Sequence, residues 1–364
     1  MVALFFVISG YALGYRFLVL IRKRDADRML TALASSTFRR YIRLYASTGL
    51  ACLIALVLVR LRMDDGMRAP IHKETFMDQL WNWIFDLVRF CNPFAEIIGW
   101  VNPKVFDSKY LGQMWSIPVE YRGSVALFSF CTAACKLTAR DRMILTWIVI
   151  VVCNVWQAVY ISGFMAGLFI ADLSLKRHPE RLAKQIPSNT PSGRLNTAEN
   201  FSSRVRLGYV WLFMLGLFLS SQPDEVNLGI LGPYPWRFLK GLVPAWWDKT
   251  RGHLFWNGIG ALSLTYALEF YPSLQKPLHW RFSQYLGDLS FGIYATHPPV
   301  YIAVCQRMLQ PFRQHYLGDS YIAYLPGFLI TLWAVFTVAD YFSRIDKAVV
   351  NFASRVQKTL FLDR

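Results

Sequence analysis

An imidazole, a carboxylate and three guanidinium groups stand in or beside apolar stretches of this chain. An ionisable side chain placed in a bilayer costs roughly 2.5–3.5 kcal/mol on insertion scales, so each is a candidate for function by default. His297 lies in Leu286-Gly287-Asp288-Leu289-Ser290-Phe291-Gly292-Ile293-Tyr294-Ala295-Thr296-His297-Pro298-Pro299. It is about eleven residues into that apolar run, or ~17 Å along a helix, near mid-membrane. A neutral imidazole suits proton removal at neutral pH. Pro298 and Pro299 lack N–H groups, so carbonyls one turn earlier lose their usual donors. A polar, kinked point at that depth suits a cavity. A histidine bonded between helices, or a helix end shifted by the prolines, would give the same pattern.

Glu120 lies in Trp115-Ser116-Ile117-Pro118-Val119-Glu120, within the first turn after Pro118. The dipole of a helix favours a carboxylate there, and a cap or a local pair with Arg122 is the simpler alternative. Arg39, Arg40 and Arg43 precede another apolar run, with Arg39 and Arg43 one turn apart. The guanidinium fork suits phosphate; lipid headgroup contact would select the same residues. Asp172, Glu269 and Asp340 lie near the ends of apolar runs and read as structural. Gly163 and Gly167 form a small-residue face suited to helix packing. The six cysteines show no CxxC spacing, so no metal site is expected.

The elements that must position these groups follow from composition. The 364 residues are 54% hydrophobic and 17% charged, against about 45–50% and about 25% in soluble domains. This excludes a disordered chain, a disulfide scaffold and a simple soluble enzyme. Nine apolar segments fall at roughly 1–21, 44–61, 117–136, 143–160, 162–175, 207–221, 254–271, 286–306 and 322–342. A tight turn at Ser162–Gly163 is expected to separate the fourth from the fifth. The net charge of +16 concentrates in every second loop. Loop 16–43 carries eight basic against two acidic residues, and loop 176–206 seven against two, whereas 62–115 carries six against seven. Positive residues stay cytoplasmic. The expected orientation therefore has a cytoplasmic C-terminus, with Met1 on the far side. The basic excess is then a topology signal, not a nucleic-acid footprint.

Segment 177–206, rich in Ser, Thr, Asn and Pro, reads as a flexible cytoplasmic loop, and 346–364 as a cytoplasmic tail. In the far-side loop 62–115, Phe76, Met77, Leu80, Trp81, Ile84, Phe85, Leu87 and Val88 share one helical face, and Asp78, Gln79, Asn82, Asp86 and Arg89 the other. Thr75 with Asp78 can cap such a helix, which reads as lying in the membrane interface. The expected fold is an all-α polytopic membrane protein of about nine transmembrane helices, with an interfacial helix in a long far-side loop. The lipid bilayer is its first partner.

Four stretches occur in order: Phe5-Phe6-Val7-Ile8-Ser9-Gly10-Tyr11, Arg39-Arg40-x-x-Arg43, Trp115-Ser116-Ile117-Pro118-Val119-Glu120, and Leu286-Gly287-x-x-Ser290-x-x-x-Tyr294-x-x-His297-x-Pro299. Together with the spans, they resemble membrane acyltransferase family 3, the integral-membrane acyltransferases. The wording Ile117-Pro118-Val119-Glu120-Tyr121-Arg122-Gly123-Ser124 is similar to the fungal branch. The resemblance runs from about Ala3 to Arg344 and implies one transmembrane domain over 1–345. It implies transfer of an acyl group, often acetyl, from cytoplasmic acyl-CoA to a hydroxyl of a carbohydrate, lipid or small molecule. Acyl-CoA is then a co-substrate, with no bound cofactor. Family members have ten spans, the first carrying a basic residue and a histidine. That helix is expected to be missing here, and Leu44-Tyr45 stands where a proline is usual.

No residue of this chain matches the histidine of that missing helix. His297 is the mid-membrane imidazole left, and on its chemistry it is expected to serve as base, with Glu120 expected to orient the acceptor or its base from the far side. Arg39, Arg40 and Arg43 are expected to hold CoA phosphates at the cytoplasmic face. A truncated, catalytically inactive family member is the alternative. A transporter is the other, disfavoured by the absence of paired broken spans.

Overall fold

The computed structural model describes residues 2–63, 72–94, 108–183, 202–223, 234–248 and 251–361. Among them every regular element is a helix. The α-helices are α1 (Val2–Arg22), α2 (Ala26–Arg60), α3 (Phe76–Phe90), α4 (Ser116–Ala133), α5 (Ala139–Val155), α6 (Val159–Arg177), α7 (Glu180–Ala183), α8 (Ser203–Ser220), α9 (Trp236–Gly241), α10 (Gly252–Phe270), α11 (Arg281–Val300), α12 (Gln310–Tyr316) and α13 (Tyr321–Leu360). A 3-10 turn, Gly112–Trp115, leads into α4, and a π-helical stretch, Tyr301–Leu309, continues α11. Helices occupy all nine apolar segments. Four of them, α1, α2, α6 and α13, are long and apolar enough to cross a membrane.

Two expected loops are helical instead. Arg39, Arg40 and Arg43 were expected in loop 16–43, yet only Lys23–Asp25 separates α1 from α2, and all three sit on α2. Ser162 and Gly163 were expected at a turn. They lie inside α6, and the chain reverses at Trp156–Ala158, where Gln157 takes φ 59°. Residues 346–360 continue α13. Most of segment 177–206 lies outside the described residues; α7 and the start of α8 occupy its ends.

Two compact units are formed. In the first, α6 packs against α1, α5 and α10, and α8 against α10. Contact between α1 and α6 is close enough that a Cβ at Gly167 would lie 2.0 Å from the Val7 carbonyl oxygen, and one at Gly10 2.1 Å from that of Phe164. Gly167 thus has the packing role that its spacing implied. Asp172, buried near the end of α6, accepts from Arg22 at 2.7 Å and from Arg142 at 2.7 and 2.9 Å. Three helix ends are joined through one carboxylate. Glu269 of α10 accepts from Ser174 and Arg181, both at 2.6 Å.

The second unit has its own core. Tyr45, Cys52, Ala55 and Leu56 of α2 meet Phe90, Tyr110, Met114, Ile117, Ala295 and Phe342. α11 packs on α13. The far half of α13 lies along α2, with Ser47 donating to Asp346 at 2.5 Å and Ser35 to Gln357 at 3.1 Å. α3 is capped as expected, Thr75 accepting from the Asp78 N–H. Two of its polar residues face inward and two outward: Gln79 and Asp86 are buried, Gln79 bonded to Tyr110 at 2.8 Å and Asp86 accepting from Ser108 at 2.7 Å, whereas Asp78 and Arg89 are exposed. Met77, Trp81, Phe85 and Val88 form an exposed apolar stripe.

Candidate active site

Three of the four signature stretches meet within the second unit. Arg40 of α2 forms an ion pair with Glu120 of α4, the Glu120 side chain being 3% exposed. This corrects one expectation. Glu120 was placed at the far side and Arg40 at the cytoplasmic face, but a direct ion pair cannot bridge a ~30 Å hydrocarbon core. The expectation treated Arg40 as part of a loop, whereas it sits within the continuous helix α2.

The three arginines diverge around α2. Arg39 donates to the Ser35 carbonyl of its own helix at 3.3 Å. Arg43 is exposed, with no hydrogen bond or ion pair to a described residue. Arg40 alone turns toward Glu120. Tyrosines stand beside the pair in sequence and in space: Tyr41 lies 5.5 Å from Tyr121 and 4.7 Å from Tyr45, ring centre to ring centre. Tyr41 also donates to the Cys91 carbonyl at 2.7 Å, tying α2 to the end of α3.

Four residues before Glu120, Ser116 meets Tyr294 of α11 at 2.6 Å. The phenol has one proton, and it donates that proton to the Gln113 carbonyl. Ser116 must therefore be the donor to the phenol oxygen. The buried Nε2 of Gln113 has no hydrogen-bond partner among the described residues. Sequence reasoning gave Tyr294 and Ser116 no role beyond membership of a motif. The signal that finds them is their alternation with the ionisable residues, one turn before His297 and one turn before Glu120.

His297 is exposed and lies three residues beyond Tyr294. Its Nδ1 stands 3.0 Å from the Ile293 carbonyl oxygen and 3.1 Å from that of Tyr294. The ring makes no hydrogen bond to Glu120 or to the arginines. What the fold joins is Arg40 to Glu120 and Ser116 to Tyr294, with His297 at the next turn of α11.

The chemistry open to this arrangement is proton transfer at an exposed imidazole one turn beyond Tyr294, which is itself tied to the helix that carries the braced acid. That fits the comparisons. The family model described as an acyltransferase domain matches residues 1–344. The chain therefore belongs to acyltransferase family 3, an enzyme class that transfers groups other than amino-acyl groups. It is similar to O-acetyltransferase PaAT-1 of Phomopsis amygdali, with 27% identity over 91% of this chain and 67% of that protein. Acyltransferase R4 of a Phoma species and acyltransferase clz18 of Cochliobolus lunatus are each 23% identical, over 81% of this chain and 66% of theirs. The chain spans about two thirds of the length of these fungal relatives. No solved structure matches.

Proposed function

We propose that the chain is an integral-membrane O-acyltransferase. It moves an acyl group, acetyl in the first instance, from cytoplasmic acyl-CoA to a hydroxyl of a carbohydrate, lipid or small molecule. In this reading about nine helices cross the bilayer and the C-terminus is cytoplasmic. The observation that carries the proposal is the convergence of Arg40, Glu120, Ser116 and Tyr294, with His297 one turn on, because motifs far apart in sequence meet there. The name of one relative, an O-acetyltransferase, supports an acetyl group and an oxygen acceptor.

The reaction is an acyl exchange at a thioester carbonyl. His297 removes the acceptor's hydroxyl proton as the oxygen attacks. The new C–O bond forms, the C–S bond breaks, and the imidazolium returns its proton to the departing thiolate. Arg43 and Arg39 hold the CoA phosphates, and the pantetheine arm reaches from them toward His297. Arg40 braces Glu120, which orients the acceptor from the same side as the arginines.

The direct experiment adds isotopically labelled acetyl-CoA to membranes containing the chain. Ester-linked label in an extracted acceptor, lost with His297→Ala, supports the reading. Undiminished labelling by His297→Ala removes His297 from the mechanism. Absence of label, with solute or proton flux in proteoliposomes lacking acyl-CoA, would favour transport.

A further inference from the structure

We propose that Pro298 is a positioning residue that fixes the tautomer of His297, leaving the Nε2 lone pair as the base. In a regular helix the N–H of residue 298 would bond to the carbonyl of Tyr294. Proline has no such proton, so that carbonyl is released. The Tyr294 carbonyl oxygen is one of the two atoms facing Nδ1 of His297, at 3.1 Å, and the other is the Ile293 carbonyl oxygen at 3.0 Å. Carbonyl oxygens only accept. Nδ1 between two acceptors must carry the proton, because a lone pair there would face two others. In a neutral ring the second nitrogen is then the acceptor.

The second nitrogen is also the one turned away from the helix backbone, and the residue is exposed. The tautomer held by the backbone is the one whose basic atom can reach a substrate. A free histidine side chain in water prefers the opposite arrangement, so the helix has to impose this one. Pro299 has a different consequence. It releases the carbonyl of Ala295, which no hydrogen bond links to the ring. Phenol and carbonyl of Tyr294 thus serve two tasks: the phenol joins α11 to Ser116 and Gln113, and the carbonyl holds the imidazole.

The inference rests on the proposed acyl transfer for its consequence but not for its structural test. The chain carries six histidines. It is prepared in lipid nanodiscs with its histidine nitrogens isotope-labelled, and the His297 resonances are assigned by their loss in His297→Gln. The intact chain at pH above the imidazole range is expected to show a pyrrole-type signal at Nδ1 and a pyridine-type signal at Nε2. The reverse pattern overturns the proposal without any further variant. Pro298→Ala restores the competing N–H and is expected to mix the two tautomers, whereas Pro299→Ala leaves them unmixed. In the transfer assay Pro298→Ala is expected to lower kcat by up to about tenfold, the worth of one hydrogen bond, with KM for acyl-CoA unchanged. If Pro298→Ala keeps a single tautomer while kcat and KM shift together, Pro298 acts only on folding and the proposal fails. If the tautomers behave as expected but His297→Gln retains full transfer, the acyl-transfer role of His297 fails and the tautomer assignment stands.

Discussion

Arg40 and Glu120, 80 residues apart in sequence, meet as an ion pair with both side chains largely removed from solvent. Each makes the other tolerable in an apolar setting, since a buried charge without its partner is among the costliest features a fold can carry. The pair also means that the basic stretch of α2 and the acidic stretch of α4 are two halves of one feature.

Removing either half should be expensive. Arg40→Ala or Glu120→Ala is expected to cost ~3–5 kcal/mol, because the remaining charge stays buried. Removing both together should cost less than the two losses combined. Thermal or denaturant unfolding in detergent measures this. A single-variant loss below about 1 kcal/mol, as for a surface pair, would show that the contact is not the brace described.

The link from Ser116 through Tyr294 to Gln113 predicts an order of effects. Tyr294→Phe deletes both bonds and leaves the buried Ser116 hydroxyl without its acceptor, a cost of ~1–3 kcal/mol. Ser116→Ala deletes one bond and should cost less. Labelled acyl transfer should fall in the same order. Equal activity in Tyr294→Phe and the intact chain would show that α11 needs no tie to α4.

Asp172 is held by Arg22 and Arg142. Asp172→Asn leaves two guanidinium groups without their carboxylate, whereas Arg22→Ala leaves Asp172 still bonded to Arg142. The expected rank is a loss of folded protein for Asp172→Asn well beyond that for Arg22→Ala, read as yield and unfolding midpoint. Any Asp172→Asn protein that folds should keep the KM for acyl-CoA, because the contact belongs to the first unit and shares no residue with the proposed site.

Burial raises the Asp86 carboxyl above its ordinary value, opposed by hydrogen bonds from the Ser108 hydroxyl and the Lys109 N–H. The sign follows from linkage. Where the folded state binds the proton more tightly than the unfolded one, stability decreases as pH rises. Acidification through the window from the raised value down to the ordinary carboxylate range should therefore tighten α3. Protection factors of α3 amides, with the intrinsic pH dependence of exchange divided out, should rise toward low pH across that window, and Asp86→Asn should flatten the dependence. Protection that falls on acidification in the intact chain, and equally in Asp86→Asn, would reverse the assignment.

Much of this fold is legible in local pattern. The apolar runs locate the helices, Thr75 and Asp78 locate the start of α3, and Gly163 with Gly167 locates a helix-packing face. Apolar periodicity reports burial within one element, and these features need nothing more. The errors arise where a helix runs on through polar sequence. α2 continues through Arg39, Arg40 and Arg43 because charged and alanine-rich residues favour helix as well as leucine does. Hydropathy alone cuts such a helix short. The turn between α5 and α6 was missed because Gly163 signals flexibility, while the actual reversal uses Gln157 at a positive φ, which composition does not flag. The pairing of Arg40 with Glu120 is invisible for a further reason. No spacing rule connects residues on helices that are not neighbours in the chain. The motif residues themselves were legible; which of them touch was not.

α3 turns its hydrogen-bonding side to the protein and its tryptophan and phenylalanine side outward. Such a segment has no comfortable position in bulk water. Trimming the long apolar helices from this chain would therefore not yield a free-standing soluble fragment around the acidic motif. The piece retaining Gln79 and Asp86 would still carry Trp81 and Phe85 on its rim, and would require detergent, lipid or another greasy surface to stay dispersed.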